Sequence, residues 1–552
     1  MNPALKSRRV RALAPFAAAA AALSLVAAGC GGGDDSGEPA GASAAQVASF
    51  VPASAPVYVE VSTDFDGPQW TQIDALAKRF PAYPQARQQL DAALMEGDVD
   101  FNTQVKPLLG DRAAFAVISA GGGAAAAQAT TTGTTPDLGA IRSAAKEGEY
   151  IAVVELAEGK EGDAEALIAR EADGPPTTVD GVKVYRNDDS VIAVVPGAIL
   201  ASDDPADIKA AVDARAAGGD RTLAGNARYT DTIDALPEQT FASSYVDIGG
   251  LVQQQAATNP QVQAQAQALE MVKDTRLAAA AAAEPGGIRV KGVVVGGPED
   301  APDTAFSPAL TRNVPGDAIA YFGFRNLQGQ VENGVRQFSQ SGGQDLLAQV
   351  QPLAAQLPSL LGVTLDDLRA LTAREHAVVV AQGTPAPGAV LALEVEDGAR
   401  AGRTLDALRQ RAPGLVAQFR PGTQLPEWRQ IDLEGGVKGW DLPINATGGV
   451  TYGVDGNLAI VGSNPQAVRA VQRPVQPLAQ TPAFTEATAG MPDQVTSVTW
   501  VNVGEAVRLA DGLGAFRDNP EALANLRKVT SISGWTTGGD EQTFEIFVRI
   551  AE

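Results

Sequence analysis

The side chains that carry most enzyme chemistry are scarce in this chain. Of its 552 residues, one is histidine, His376, and one is cysteine, Cys30. A His/Cys metal centre lacks ligands, because such sites need three or four of them. A Ser-His-Asp site would have to use His376. That residue opens the apolar run REHAVVVAQG and reads as a structural histidine at the start of a strand. No GxSxG, GxxxxGK[ST], HExxH or CxxC pattern occurs, and Gly512-Leu513-Gly514 lacks the third glycine of a dinucleotide fingerprint. Carboxylates remain: Asp64/Asp66, Asp98/Asp100, Asp188/Asp189 and Asp203/Asp204 cluster in turn-like segments and read as solvated turn acids. Asp64-Phe65-Asp66-Gly67 begins like a calcium loop, but the twelfth position is Ala75, where an EF-hand needs a bidentate glutamate. Glu155 and Glu394 stand at matching places in two similar segments and read as outward-facing strand residues. A paired-carboxylate hydrolase stays open, since any fold can bring two acids within about 5–10 Å, yet no motif names the pair. No catalytic, cofactor-binding or metal-binding residue is assigned.

Composition narrows the classes further. Lys and Arg number 42 against 65 Asp and Glu, a formal charge of −23, with no basic patch. That opposes a nucleic-acid binder, whose affinity rests on cations meeting phosphates. At 45% hydrophobic the chain can bury a core, and at 5% aromatic that core is mostly aliphatic and small. Plentiful Gly (58) and Pro (35) favour turns over long helical bundles. The length, less its leader and tether, suits two to four domains.

The leader explains the lone cysteine. Lys6, Arg8, Arg9 and Arg11 form a basic region, and Ala12–Ala28 is an uncharged apolar stretch broken by Pro15 and Ser24. It is short for a membrane span and fits a secretory signal. It ends in Ala27-Ala28-Gly29-Cys30, which resembles the bacterial lipoprotein signal motif. The resemblance implies cleavage between Gly29 and Cys30 and a lipidated Cys30, with the palmitate such anchors carry. It departs from the motif at Ala27, where the pattern prefers leucine. Cys30 has no intrachain disulfide partner, which agrees with this role. Ser7-Arg8-Arg9 hints at twin-arginine export, but Arg11 stands where that signal prefers an apolar residue, so both export routes stay open. Gly31–Ala45 has no hydrophobic periodicity and reads as a tether. The expected location is the cell membrane, with a lipid-anchored body facing the extracytoplasmic side. An acidic body should stand off anionic lipid.

The body appears twice. Pro52–Val61 (PASAPVYVEV) matches Pro315–Phe324 (PGDAIAYFGF), and Val99–Val117 matches Gly362–Val380 in the same alignment. Segments from Ile151 and Val390, and then Ala198–Val212 and Leu458–Gln472, follow in order. The clearest match, Leu223–Val252 with Leu478–Val507, runs without a gap and pairs Pro237 with Pro492 and Gln239 with Gln494. Drifting spacing between blocks is what loop insertions produce. The expected organisation is a signal peptide at 1–29, a tether at 30–47, a first unit at 48–299, a linker at 300–311 and a second unit at 312–552. Ala120–Thr135 reads as a low-complexity insertion.

The elements that would position these residues are short. Val57–Val61, Ala113–Ile118, Tyr150–Leu156, Lys183–Arg186, Val191–Val195, Ile199–Ser202, Phe241–Ile248 and Ile288–Val295 read as strands. Gly181, Pro196-Gly197 and Asp455-Gly456-Asn457 sit where hairpin turns belong. Helices are expected at Trp70–Phe80, Asp163–Glu171, Pro205–Ala214, Gln253–Val272 and Gln344–Leu357. Asp204-Pro205 and Asn464-Pro465 repeat one helix-start signal in both halves. The expected class is α+β: two tandem homologous units, each a mostly antiparallel sheet with helices on one face.

The opening VPASAPVYVEV, then Trp70 and a helix, then LLGDRAAFAV, resembles a bacterial family known only as a domain of unknown function. The resemblance covers most of the mature chain and rests on structural motifs, including VP-x-x-A-x-x-Y. It implies an exported or membrane-anchored protein and supplies no catalytic residues. The leading expectation is a non-enzymatic envelope lipoprotein that binds a partner or supports structure. A carrier of lipid or another apolar ligand is the first alternative and a carboxylate hydrolase the second. The partners expected are the membrane, through the Cys30 lipid, and an envelope protein or apolar ligand.

Overall fold

A computed structural model describes residues 46–94, 99–119, 149–187, 190–258, 272–296, 304–325, 362–383, 386–419, 425–445, 448–539 and 541–552, without the side chains of 90–94, 258 and 415–419. Gly29, Cys30, residues 31–45 of the tether, the insertion at 120–135, Asp98, Asp188, Asp189 and the helix expected at Gln344–Leu357 lie outside the described residues, whereas Val47, at the end of the expected tether, is buried in the core. The chain forms two compact units, residues 1–299 with 540–552, and residues 300–539.

Ten strands of the first unit follow in chain order: β1 (Val57–Ser62), β2 (Leu109–Ser119), β3 (Glu149–Leu156), β4 (Thr177–Val179), β5 (Val182–Asn187), β6 (Ser190–Val195), β7 (Ala198–Ser202), β8 (Ala242–Asp247), β9 (Arg276–Glu284) and β10 (Gly287–Val295). They pair antiparallel throughout, in the spatial order β4-β5-β6-β7-β3-β2-β1-β8-β9-β10. Asp180 and Gly181 both take positive φ and join β4 to β5, which is the backbone a two-residue type I′ hairpin needs. Between β6 and β7 the two-residue turn is Pro196-Gly197, where Gly197 alone takes positive φ.

The second unit holds β11 (Ala320–Arg325), β12 (Glu375–Ala381), β13 (Gly388–Glu394), β14 (Arg429–Asp432), β15 (Lys438–Pro443), β16 (Gly449–Asp455), β17 (Leu458–Gly462), β18 (Ser497–Asn502) and β19 (Val529–Thr536). Its order is β14-β15-β16-β17-β13-β12-β11-β18-β19, again antiparallel, and it follows the first unit's order from β4 to β9 strand for strand. The α+β class with an antiparallel sheet therefore holds.

Two features differ from expectation. The last strand, β20 (Glu541–Ile550), belongs to the first unit, where it pairs with β10 from Gly287↔Arg549 to Val295↔Glu541. Its pairing is fixed by a contact remote in sequence: buried Arg289 on β10 bonds Glu545 and lies over the Phe547 ring. Helices, expected on one face, cover both. On β1, Val57 and Val61 meet Leu251 and Leu76, while Tyr58 turns to the opposite face and joins Ile208, Ala211 and Tyr229. A strand apolar on both sides needs cover on both. The expected helix starts are present, with Asp204 accepting from the Ala206 N–H and Asn464 from the Ala467 N–H.

Candidate functional site

At the centre of the first unit, Glu60 on β1 lies 3.2 Å from the Arg112 guanidinium on β2, both buried. The Tyr58 hydroxyl donates to Glu60 at 2.5 Å. Tyr229 stands edge-on to Tyr58 and to Tyr245, so a polar pair is capped by an aromatic layer. Burial raises the Glu60 carboxyl, with Arg112 and Tyr58 pulling it back, and burial raises the Tyr58 and Tyr229 hydroxyls strongly. This arrangement can hold a strand pair in register; it presents no reactive group to solvent.

The same strand positions of the second unit are filled differently. Gly323 takes the place of Glu60 in the alignment of the two openings, and a Cβ there would lie 2.1 Å from the Tyr321 hydroxyl. That hydroxyl is buried and accepts or donates no hydrogen bond among the described residues. Glu375 takes the place of Arg112 and receives the Ala309 N–H at 2.7 Å and the Leu310 N–H at 3.0 Å. Burial pushes its carboxyl up to about 8, the backbone donors opposing. His376 follows, fully buried and stacked on Phe324 at 5.3 Å. Its ring nitrogens lie near the Phe324 and Leu371 carbonyls without reaching hydrogen-bond geometry, and burial lowers it to about 4. A neutral, enclosed imidazole of this kind is a core residue and no general base.

The acids singled out in the sequence disperse. Asp66 is exposed and pairs with Lys106 at 2.7 Å, and Asp100 caps a turn by accepting from the Thr103 N–H. Asp203 and Asp204 flank the start of the helix Pro205–Ala217, where Asp204 is the cap. Among the described residues no group of three or more His, Cys, Asp or Glu is placed to hold a metal. Glu394 is half-buried, but Glu155 is buried and inward: Gly110 makes room, since a Cβ there would come within 2.5 Å of the Glu155 Cγ. The sequence has no signal for that glycine's role, because the contact joins two strands. Two acids do converge on one cation, Glu284 and Glu545 on Arg289, yet inside the sheet. Burial raises Glu284 to about 7.

An open cleft of about 410 Å³ lies in the second unit, where β11 begins, β12 ends and β13 begins. Ile319, Ala381, Pro387 and Leu509 give it apolar walls. Its polar residues are Asp317, Gln382, Gln466, Glu505 and Arg508, the last two on the helix Val503–Gly512. Arg508 is engaged on both sides, by Glu505 through Nε at 2.9 Å and by the Gln382 Oε1 at 2.9 Å. Gln382 in turn donates to the Asp317 carbonyl at 3.2 Å. The Asp317 carboxylate is exposed and meets no donor among the described residues. Sequence reasoning missed this site, because its residues come from four separated segments.

The model of a protein family of unknown function, DUF3352, matches residues 16–549. The chain belongs to this family. No curated protein matches it. Among solved structures, crystal form III of TP0453 is similar at 11% identity and a TM-score of 0.23, covering 48% of this chain and 81% of that one. Crystal form I of TP0453 gives 9% identity and a TM-score of 0.24, over 47% and 79%. The sequence resemblance to a domain of unknown function thus meets its family, whose description assigns no reaction to the chain.

Proposed function

We propose that the protein is a lipid-anchored extracytoplasmic component of the cell envelope, non-enzymatic, that binds a partner or supports envelope structure. The observation that carries this is Cys30: the one cysteine of the chain, placed directly after Ala27-Ala28-Gly29 at the end of a basic-then-apolar leader. Among the described residues no helix is long and apolar enough to cross a membrane. The buried carboxylates other than Glu155, whose Oε2 has no partner among the described residues, support a non-catalytic body. Glu60, Asp207, Glu375, Asp441 and Glu545 are each engaged by a cation, a hydroxyl or backbone N–H groups. We also read the two units as copies of one ancestral unit. Five paired segments in one order and the recurring strand order support that reading.

The test is fractionation of the Cys30→Ala protein. The wild type belongs in the membrane fraction and the variant in the soluble extracytoplasmic fraction. A variant that stays with the membrane contradicts the anchor.

A further inference from the structure

We propose that the cleft of the second unit is a binding site for a small primary amine, an ammonium group on a compact apolar body, held by the Asp317 carboxylate. This goes beyond the anchoring role and does not depend on it.

Three observations carry the choice of ligand. The first is size: about 410 Å³ lies within the range of small-molecule sites, and Ile319, Ala381 and Leu509 supply the apolar contact such ligands need. The second is charge. The cleft carries two carboxylates and one guanidinium, and the guanidinium is already neutralised by Glu505 and turned to Gln382. An anion would have to break that ion pair, whereas a cation meets an unengaged carboxylate at Asp317. The chain's net charge of −23 also raises the local concentration of cations and lowers that of anions.

The third observation comes from the first unit. In the alignment of the two halves, Asp317 falls on Ser54, Glu505 on Gly250, and Arg508 and Leu509 on Gln253 and Gln254. There the Gln254 side chain reaches across and donates to the Ser54 carbonyl at 3.2 Å. In the second unit the Asp317 carbonyl takes its bond from Gln382 instead, at 3.2 Å, and the corresponding Leu509 is left as an apolar wall of the cleft. The residues that give the cleft its charge and its apolar wall are thus replaced at the matching positions of the first unit.

The experiment is calorimetric titration of the purified full-length protein with butylamine, butanol and butyrate. Butylamine is expected to bind at least tenfold more tightly than either of the others, and more weakly as salt rises. Asp317→Asn, an isosteric change at an exposed position, should lower butylamine affinity about tenfold while leaving the melting temperature unchanged. Leu509→Gln, which copies the first unit, should also abolish binding. The proposal is overturned if butyrate binds best, if none of the three binds, or if Asp317→Asn binds butylamine as the wild type does.

Discussion

β1 with β2 and β11 with β12 occupy equivalent places in the two units and share one register, yet they bury different polar chemistry. Glu60↔Ala114 in the first unit corresponds to Gly323↔Ala377 in the second. The first unit closes its centre with an ion pair and a tyrosine hydrogen bond. The second removes the acid from β11 and places one at the head of β12, where Glu375 fastens the turn Ala309–Arg312 by its backbone. Register and strand order are set by apolar alternation, which both units have. The buried polar groups differ without every partner changing along with them: Tyr58 donates to Glu60, whereas Tyr321, at the matching place, keeps a hydroxyl with no partner among the described residues.

The largest effect expected from this comparison is at the ion pair. Removing one partner leaves a buried charge, so Glu60→Ala or Arg112→Ala should destabilise the first unit by about 3–5 kcal/mol, read by denaturant unfolding. The double change to a matched apolar pair should recover much of that loss. If each single variant unfolds like the wild type, the pair is not what secures the centre.

Next is the pH dependence of the second unit, where two neighbours act with opposite sign. His376 is lowered to about 4 from 6.5, so its neutral form is favoured by folding. Its contribution is present above about pH 6.5 and lost as pH falls toward 4, about 3 kcal/mol in all. Glu375 is raised to about 8 from 4.5, so its contribution is present below about pH 4.5 and lost as pH rises through 8. Their slopes oppose between pH 4.5 and 6.5. His376→Phe should remove the acid-side loss and Glu375→Gln the alkaline one, each seen as a change in melting temperature against pH relative to the wild type. Parallel profiles for the wild type and both variants would show that neither group titrates with folding.

The tyrosines sharpen the contrast with smaller changes. Tyr58→Phe strips a donor from buried Glu60 and should cost about 1–3 kcal/mol. Tyr321→Phe removes a hydroxyl that has no partner among the described residues, so stability should be unchanged or raised. Equal losses at the two sites would erase the distinction drawn between the units. The two caps should lose little and equally: Asp204→Ala and Asn464→Ala each remove one side-chain acceptor at a helix start, about 1 kcal/mol apiece.

Much of this fold is legible in the sequence, and the exceptions have physical causes. Strands with apolar runs between turn residues, such as Val191–Val195 and Ile199–Ser202, lie inside β6 and β7, and Asp180-Gly181 makes the expected hairpin. β9 is the clear failure. Its sequence, RLAAAAAAE, is built from the best helix former and carries no strand signal. It is a strand because β8 and β10 supply its hydrogen bonds, and its methyl side chains admit the helices Pro68–Ala77 and Ala227–Ile233 against it. β20 was equally hidden, since its place beside β10 rests on Arg289 and Glu545, far apart in the chain. His376 was readable as structural from its apolar run. Glu155 was not readable as buried, because the space for it is made by Gly110 on another strand.

The account turns on Cys30, and the most direct test is the intact mass of the amino-terminal peptide from membrane-purified protein. The account predicts a chain that begins at Cys30 and carries a thioether-linked diacylglycerol, with no peptide from the first 29 residues. A chain that retains the leader, or one that begins elsewhere with Cys30 as a free thiol, would contradict it.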